Sequence, residues 1–216
     1  MTSRENPSRF TEPLTRDNAV LLLVDHQVGL FAAIRDYSPG ELKHNVVALA
    51  KVARILGVPT IVTTTAEKFL WGPIAPELKV ALDPSIQVID RTTVNAWTDP
   101  RIPAAVAGTG RKKLIIAGIS TDVCLMLPAL SATGAGYDVY GVVDASGTIN
   151  ETKRTTSMLR MQQAGVILVD HGAVVVEMRG DNADPLAPKG DEALDVGFAT
   201  VNAQLREAYG RASAMA

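Results

Sequence analysis

Six short apolar runs, rich in β-branched residues, recur along the chain, and each is followed by a segment with helical spacing. Strands that are apolar along their whole length are typical of a parallel sheet that helices cover on both faces, because neither face then meets water. The alternation therefore predicts a doubly wound α/β fold. The predicted strands are Ala19–Asp25, Pro59–Thr65, Ile86–Ile89, Lys113–Ile119, Tyr137–Val143 and Val166–Val169.

Capping residues mark the helices between these runs. Ser38, Pro39 and Glu41 form an N-terminal capping pattern, and Gly57 is a typical stop signal for the helix that they begin. Asn150 begins a further helix in the same way. No internal repeat or low-complexity linker divides the chain, which favours a single domain.

The two ends lie outside this alternation. We predict an N-terminal arm over residues 1–16, one domain over residues 17–181 and an extension over residues 182–216. Apolar residues recur with helical spacing over residues 191–211, so we expect an amphipathic helix there. Its packing on its own domain and its packing on a neighbouring subunit are both open.

Charge and cysteine content limit the classes of binding partner and the cellular compartment expected for the chain. The formal net charge is −2 and no long basic run is present, so the chain lacks the electrostatic footprint of a nucleic-acid-binding protein. A single cysteine cannot form an intramolecular disulfide, which favours a reducing compartment. We recognise no signal peptide and no apolar stretch of membrane-spanning length. These features predict a soluble, cytoplasmic protein without a nucleic-acid or membrane partner.

The single cysteine, Cys124, follows the fourth apolar run and is expected on the first turn of a helix. Helix amides and the helix dipole favour the thiolate at such a position. A lone cysteine is more often an unreactive buried residue. The polar residues at neighbouring strand ends favour the reactive role here.

Two further polar residues follow predicted strands. Asp25 closes the first run and Arg91 follows the third. The carboxyl ends of the strands converge where the strand order of a doubly wound sheet reverses, so these residues and Cys124 are expected to be neighbours. A carboxylate can take the thiol proton and return it to a leaving amine, and a cation favours the charged forms. The trio therefore predicts covalent hydrolysis, with backbone amides near Cys124 holding the oxyanion.

The positions of the three histidines do not favour a catalytic cysteine–histidine pair. His26 points to the face opposite Asp25 if the strand continues, His44 falls inside a helix, and His171 follows the last strand at the far edge. We expect structural roles for all three.

Four segments in order resemble the isochorismatase-like cysteine hydrolases, and in particular their YcaC-like branch. They are LLLVDHQVGL, RTTVNAW, IIAGISTDVCLMLPALSA and VVDASGT, and the resemblance runs from about Asn18 to Asp181. It implies a Rossmann-like three-layer α/β/α fold with six parallel strands in the order 3-2-1-4-5-6. It also implies a homo-oligomer, with an octamer among the states to test.

The resemblance also implies roles for individual residues. Cys124 would be the nucleophile, Asp25 the proton acceptor and donor, and Arg91 the basic partner. A non-proline cis bond would join Ile119 to Ser120, and the backbone amides of Ser120 and Cys124 would form the oxyanion hole.

This chain departs from the pattern of the family at two points. Arg91 stands where most members have lysine, and arginine acts as a fixed cation that cannot shuttle protons. We therefore hypothesise a substrate with a carboxylate or another planar oxygen group, with Lys68 as the alternative cation. The histidines do not reproduce the metal cluster of nicotinamidases in this family, so we expect neither metal nor cofactor.

Several side chains in loops after strand ends are candidates for a small substrate pocket. For the aromatic members, a place in the core or in a subunit interface is an equal alternative. Trp71 also lies in such a loop and is a further candidate for the pocket wall. The predicted pocket residues are Phe31, Glu67, Phe69, Asn95 and Trp97.

Together these features predict a metal-free cysteine hydrolase that cleaves a small, non-peptide amide or ureido C–N bond through a Cys124 thioester. The alternative is a binding or scaffold protein of the same fold with a weak or vestigial triad. Vinyl-ether hydrolysis of isochorismate needs acid catalysis rather than a thiol, so the cysteine argues against it.

Overall fold

The structure, a computed structural model, describes residues 9–195 together with residues 201, 204–205 and 207–210. It contains one parallel sheet whose strands lie in the order β3-β2-β1-β4-β5-β6, so the predicted fold class and strand order are confirmed. The strands are β1 (Ala19–Val24), β2 (Thr60–Thr65), β3 (Ile89–Arg91), β4 (Lys113–Gly118), β5 (Asp138–Val142) and β6 (Ile167–Val169).

The third strand differs from its prediction. The sequence run Ile86–Ile89 suggested that Arg91 follows the strand, whereas Arg91 is the last residue of β3. The residues before Ile89 lie outside the ladder because β3 pairs only with the carboxyl half of β2, where Thr63 is opposite Ile89. A strand of three residues at the sheet edge is short enough to limit pairing with other chains.

Helices cover both faces of the sheet, and β1 shows how the sequence divides between them. Leu21 and Leu23 pack in the core layer that contains α2, while Val20 and Leu22 pack in the layer that contains α4 and α5, because successive strand residues point to opposite faces. The helices are α1 (Val28–Ala33), α2 (Pro39–Ile55), α3 (Pro76–Ala81), α4 (Arg101–Gly108), α5 (Met126–Gly134), α6 (Glu151–Gln163), α7 (His171–Arg179) and α8 (Ala187–Leu194).

The helix boundaries follow the predicted capping signals. Helix α2 begins at Pro39 and ends two residues before Gly57, which has a positive φ of 69°. The side chain of Asn150 caps α6 by accepting a hydrogen bond from the Lys153 amide. Among the described residues, every helix is too short or too polar to cross a bilayer.

The described part of the N-terminal arm packs closely on the domain. Leu14 is fully buried, and its amide donates to Glu177 of α7 over 2.7 Å. Lys113, fully buried at the start of β4, donates to the Glu12 carbonyl over 3.0 Å. These contacts tie residues 12–14 to the amino edge of the sheet.

The predicted helix over residues 191–211 is not continuous. Helix α8 ends at Leu194, and Asp195 adopts a left-handed conformation with a φ of 43°. The described residues beyond this break, 201, 204–205 and 207–210, are helical. Val196 and Phe198, which belong to the apolar pattern of this predicted helix, lie outside the described residues.

Candidate active site

Asp25, Arg91 and Cys124 meet at the carboxyl edge of the sheet, beside the point where the strand order reverses between β1 and β4. Asp25 follows β1, Arg91 ends β3, and Cys124 lies in the turn after β4. The Cys124 Sγ lies 3.0 Å from Asp25 Oδ2, and Arg91 Nη2 lies 2.5 Å from the same oxygen. The fold therefore brings a thiol and a guanidinium into contact with one carboxylate, although Arg91 and Cys124 lie 66 and 99 residues from Asp25 in sequence.

The neighbouring strand holds Asp25 in place. Its backbone adopts a φ of 60°, and its amide donates to the Thr63 carbonyl over 3.0 Å. Its Oδ1 accepts a hydrogen bond of 2.8 Å from the Thr63 hydroxyl. With one oxygen bound to Thr63, the carboxylate presents Oδ2 to both the thiol and the guanidinium.

The Arg91 guanidinium lies behind Asp25. Its side chain is fully buried, Nη2 contacts Asp25, and Nη1 donates to the carbonyl of Thr93. Arg91 is not among the residues that line the cavity at Cys124. The hypothesis that Arg91 binds a substrate carboxylate is therefore wrong, because both of its terminal nitrogens are already engaged inside the protein. Lys68, the alternative cation, does not line the cavity either.

Cys124 sits in a single turn that precedes α5. In this turn, Thr121–Leu125, the amides of Val123, Cys124 and Leu125 all donate to the Ser120 carbonyl, over 3.1, 2.7 and 3.2 Å. Convergence of three amides on one oxygen makes the turn wider than an ordinary α-helical turn. The thiol therefore projects from a segment that its own backbone hydrogen bonds hold in place. Cys124 is only 6% exposed.

Burial governs the protonation of the thiol. Desolvation raises the pKa of Cys124 well above its ordinary value and the negative charge of Asp25 raises it further, while Arg91 and the Ser120 backbone partly oppose this. The expectation that this position favours the thiolate is wrong for the resting site, because the cost of desolvating a thiolate exceeds the help from nearby cationic and amide groups. The resting thiol is neutral and donates its proton to Asp25.

Burial also raises the pKa of Asp25, and this is the largest effect on that group. Arg91 opposes it first, followed by the hydrogen bonds from Cys124, Thr63 and Arg91. The guanidinium therefore favours the ionised carboxylate, the form that can accept a proton from the thiol.

Of the two backbone amides predicted to form the oxyanion hole, one is already hydrogen-bonded within the protein. The Ile119–Ser120 bond is cis, as the family resemblance implied. The Ser120 amide donates to no acceptor among the described residues. The Cys124 amide, the second predicted donor, is already bound to the Ser120 carbonyl over 2.7 Å, so it can reach an oxyanion only by sharing that bond.

A cavity of about 330 Å³ opens above the thiol. Asp25, Ser120 and Cys124 form its floor, and Thr65, Ile119 and Val123 lie around them. Mainly apolar side chains from four different segments form the walls, namely Leu30, Ala33, Ile34, Trp71, Val94 and Ile149.

Of the residues put forward for the pocket, Trp71 lines this cavity, whereas Phe31, Glu67, Phe69, Asn95 and Trp97 do not. Phe31 is buried with its ring 6.1 Å from that of His26, and Phe69 is 88% exposed. Glu67 accepts from the Thr64 hydroxyl over 3.4 Å, outside the cavity. A loop position after a strand says which edge of the sheet a side chain is near but not which way it points.

The remaining two, Asn95 and Trp97, have structural roles. Asn95 caps the short 3₁₀ turn Ala96–Thr98 and donates to the Ser131 hydroxyl over 2.9 Å. The Trp97 ring packs edge-on against Tyr137 with centroids 5.5 Å apart.

Two wall residues, Val94 and Ile149, were not predicted from the sequence. They are 67% and 47% exposed, and each follows a strand end within the segment that joins it to the next helix. An apolar residue left exposed in a loop at the ligand-binding edge is the signal that would have found them.

The histidines lie away from the thiol. His26 is buried, its Nε2 lies 3.0 Å from the Ala145 carbonyl, and desolvation lowers its pKa to about 4. His171 pairs through Nδ1 with Asp144 over 2.5 Å. Within the described part of the chain, the one group that could hold a metal ion is Asp144, Asp170 and His171, which follow β5 and β6 rather than β4.

Comparison with known proteins gives concordant matches. A family model described as the isochorismatase domain matches residues 19–173. The "Probable hydrolase YcaC" of Escherichia coli K12 is 43% identical over 168 residues, which is 78% of this chain and 81% of that protein. The isochorismatase domain-containing protein 2 of Rattus norvegicus is 29% identical over 78% of this chain and 77% of its own length.

Two crystal structures of YcaC proteins superpose closely on this chain. YcaC from Pseudomonas aeruginosa, with hexane-2,5-diol and covalent acrylamide, has a TM-score of 0.84 and 41% identity, over 93% of this chain and 98% of its own. The Escherichia coli YcaC structure, described as an octameric hydrolase of unknown specificity, has a TM-score of 0.85 and 38% identity, over 96% and 99%.

Proposed function

The chain belongs to the isochorismatase family, as a YcaC-like hydrolase, and from this premise we propose that it is a metal-free cysteine hydrolase with Cys124 as its nucleophile. The observation that carries the proposal is the 3.0 Å contact between Cys124 Sγ and Asp25 Oδ2 at the floor of a cavity. A buried thiol beside a buried carboxylate is a nucleophile beside its base.

In the first half of the reaction, Asp25 takes the thiol proton as Sγ attacks the substrate carbonyl carbon. The neutral resting thiol suits this order, because the proton leaves only as the carbon–sulfur bond forms. The carbonyl oxygen becomes an oxyanion, which the Ser120 amide binds. Protonated Asp25 then gives its proton to the leaving nitrogen, the C–N bond breaks, and a thioester remains on Cys124.

The second half releases the acyl group. Asp25, again ionised, takes a proton from a water molecule as that water attacks the thioester carbonyl. The carbon–sulfur bond breaks, the acid leaves, and the thiol recovers its proton from Asp25. Arg91 keeps its charge throughout and holds Asp25 in position, which is the role that its buried contacts permit.

We propose a small amide or ureido compound, cleaved at a non-peptide C–N bond, as the substrate class. The choice of a C–N bond rests on Asp25, which can give its proton to a leaving nitrogen. The covalent acrylamide in YcaC from Pseudomonas aeruginosa supports a reactive nucleophile, because nucleophiles add to the C=C bond of acrylamide. The cavity of about 330 Å³ is at the lower end of the size range for small-molecule sites.

The test is a hydrolysis screen with amides and ureas, combined with intact-mass detection of the acyl-enzyme. We expect Cys124→Ala to lower kcat/KM by at least about 1,000-fold and to abolish the mass adduct. Asp25→Asn should lower it by about 100-fold or more. Asp90→Asn is the matched control. Asp90 precedes Arg91 in β3 and accepts a hydrogen bond from the Thr64 hydroxyl, but it does not line the cavity.

Turnover that survives in Cys124→Ala would overturn the proposal. The same screen addresses the alternative of a scaffold with a vestigial triad, for which no compound is turned over by the wild-type protein.

A further inference from the structure

The walls of the Cys124 cavity carry almost no polarity. Among the described lining residues, the polar side-chain groups apart from the floor residues Asp25, Ser120 and Cys124 are the Thr65 hydroxyl and the indole N–H of Trp71. The backbone N–H and C=O of Thr65 are both bound by the Gln27 side chain, over 2.8 and 3.1 Å. One hydroxyl and one indole N–H are therefore the side-chain hydrogen-bonding groups that the described walls offer, and both are uncharged.

The charges near the cavity do not suit a charged substrate. Among the described lining residues, Asp25 is the one charged residue, and the Arg91 guanidinium is sealed behind it. An anionic substituent would meet the Asp25 carboxylate without a cation to pair with, and a cationic substituent on the walls would have no described carboxylate beside it. Burying an unpaired charge is far more costly than burying an apolar group.

The volume allows a substantial apolar group. A dry cavity of about 150 Å³ lined by aliphatic residues is large enough to bind benzene. The cavity here is about 330 Å³, so it has room for a ring or a branched chain in addition to the reacting carboxamide. Trp71, Ile34 and Ile149 supply aromatic and aliphatic surface for such a group.

We infer that the substrate is a neutral primary amide whose acyl group is an uncharged aliphatic or aromatic chain, in keeping with these walls. The inference rests on the proposed cysteine hydrolysis and narrows its substrate class. Water and the amide give a carboxylic acid and ammonia, and the acid ionises in water at neutral pH. A neutral reactant thus enters an apolar cavity, and Asp25 repels the carboxylate product from it.

The first experiment measures binding to Cys124→Ala, which separates recognition from chemistry. The ligands are acetamide, butanamide, hexanamide and the monoamide of adipic acid, whose chain ends in a carboxylate. We expect affinity to rise about fourfold per methylene group from acetamide to hexanamide. We expect the adipic monoamide to bind on the order of 100-fold more weakly than hexanamide. Equal binding of the neutral and charged amides, or no binding of hexanamide, overturns the inference.

The second experiment places a cation at the mouth of the cavity. Val94 lines the cavity and is 67% exposed, so Val94→Arg introduces a charge at a position that the fold tolerates. The ratio of kcat/KM for hexanamide to that for the adipic monoamide should fall at least about tenfold in this variant. Val80→Arg is the matched control, because Val80 is 80% exposed on α3 and does not line the cavity. An unchanged ratio in Val94→Arg overturns the inference.

The outcomes separate this inference from the proposed function. If Cys124→Ala binds hexanamide selectively while the wild-type protein hydrolyses no amide, the proposed reaction fails and the apolar site remains. If the wild-type protein hydrolyses charged amides through Cys124 as fast as neutral ones, the reaction remains and the inference fails.

Discussion

Asp25 is the residue on which the candidate site depends, because its carboxylate contacts three side chains at once. Thr63 binds Oδ1 over 2.8 Å, while Arg91 and Cys124 contact Oδ2 over 2.5 and 3.0 Å. All of these groups are buried, so removal of the Asp25 carboxylate takes a partner from each of the other three in a medium that solvates charge poorly. The site therefore acts as one electrostatic unit.

The pH dependence of activity tests whether the Arg91 charge favours the ionised form of Asp25. Burial raises the pKa of Asp25 and Arg91 opposes that rise, so the ionised base is lost as the pH falls through this raised pKa. Arg91→Gln removes the opposing charge, and the acid limb of the kcat/KM–pH profile should move to higher pH. Arg91→Lys keeps a positive charge and should leave the limb near its wild-type position. An acid limb that stays in place in Arg91→Gln contradicts the role assigned to the guanidinium.

Protein stability in acid depends on His26, which lies beside Asp25 in sequence but on the other face. Its pKa falls from 6.5 in the unfolded chain to about 4 in the folded one, so the unfolded state binds more protons between these values. The stabilising effect is complete above about pH 6.5 and is lost as the pH falls towards 4, by about 3 kcal/mol in total.

The measurement is the free energy of unfolding in urea at pH 7.5 and pH 4.5 for the wild-type protein and for His26→Gln. The amide of glutamine can still donate to the Ala145 carbonyl, the present partner of His26. We expect the pH-dependent loss of stability to be about 2–3 kcal/mol smaller in the variant. Equal losses in the two proteins would falsify the assignment.

At the scale of elements, the close approach of β4 and the turn after it positions the nucleophile. A Cβ atom on Gly118, the last residue of β4, would lie 2.7 Å from both the carbonyl carbon and the oxygen of Cys124. Atoms of the backbone cannot move aside as a flexible side chain can. Only glycine at position 118 allows the turn Thr121–Leu125 to fold back against the strand.

The Gly118→Ala substitution should therefore displace the turn and misplace the thiol. We expect a loss of about 1–3 kcal/mol in stability and at least about 100-fold in kcat/KM, since a shift of about 1 Å at a reacting group has effects of that size. Gly134→Ala in α5 is the matched control, because a Cβ atom there has no neighbour within 4 Å. The measurements are the thermal unfolding and the kcat/KM of both variants. Equal stability and equal kcat/KM in the two variants would refute the steric argument.

A second contact between elements shapes the wall of the cavity. Gln27, fully buried before α1, donates to the carbonyls of Thr65 and Gly72 and thereby joins the end of β2 to the loop that carries Trp71. Gly29 lies so close to this loop that a Cβ atom would be 2.8 Å from the Trp71 carbonyl oxygen. The position of Trp71 is therefore set by α1.

At the scale of the whole molecule, the described helical residues near the C-terminus leave apolar side chains in solvent. Val201, Leu205 and Tyr209 are 50%, 48% and 71% exposed, and their spacing of four residues places them on one face. The YcaC protein of Escherichia coli is an octamer. We propose that this chain also forms a homo-oligomer and that this face packs on a neighbouring subunit.

Size-exclusion chromatography with light scattering tests this proposal. We expect a mass several-fold above the 22.9 kDa of the chain, and a lower mass for Leu205→Glu, because an unpaired charge does not pack in an apolar interface. Gln204→Glu adds the same charge at the adjacent exposed residue and should leave the mass unchanged. A wild-type mass of 22.9 kDa would count against assembly, and an unaffected mass in Leu205→Glu would count against this face.

The family resemblance implied the strand order, and the sequence pattern predicted the meeting of three polar residues better than it predicted the cavity walls. Asp25 and Cys124 follow long, wholly apolar strands, so the edge of the sheet at which they lie followed from the sequence pattern. Phe69 and Trp71 sit two residues apart in one loop, yet the first is in solvent and the second lines the cavity. The position of Trp71 depends on the close approach of Gly29 and on the hydrogen bond from Gln27 to the neighbouring Gly72 carbonyl, and both residues lie in a different segment of the chain.

The sequence by itself determined the α/β architecture, because a wholly apolar strand has no stable place except between two helical layers. It also determined which polar residues stand at the strand ends. Only the tertiary structure decided that Arg91 faces inward to Asp25, that the thiol is neutral at rest and that the walls are apolar. These properties depend on burial and on distances between residues far apart in the chain, which no local pattern encodes.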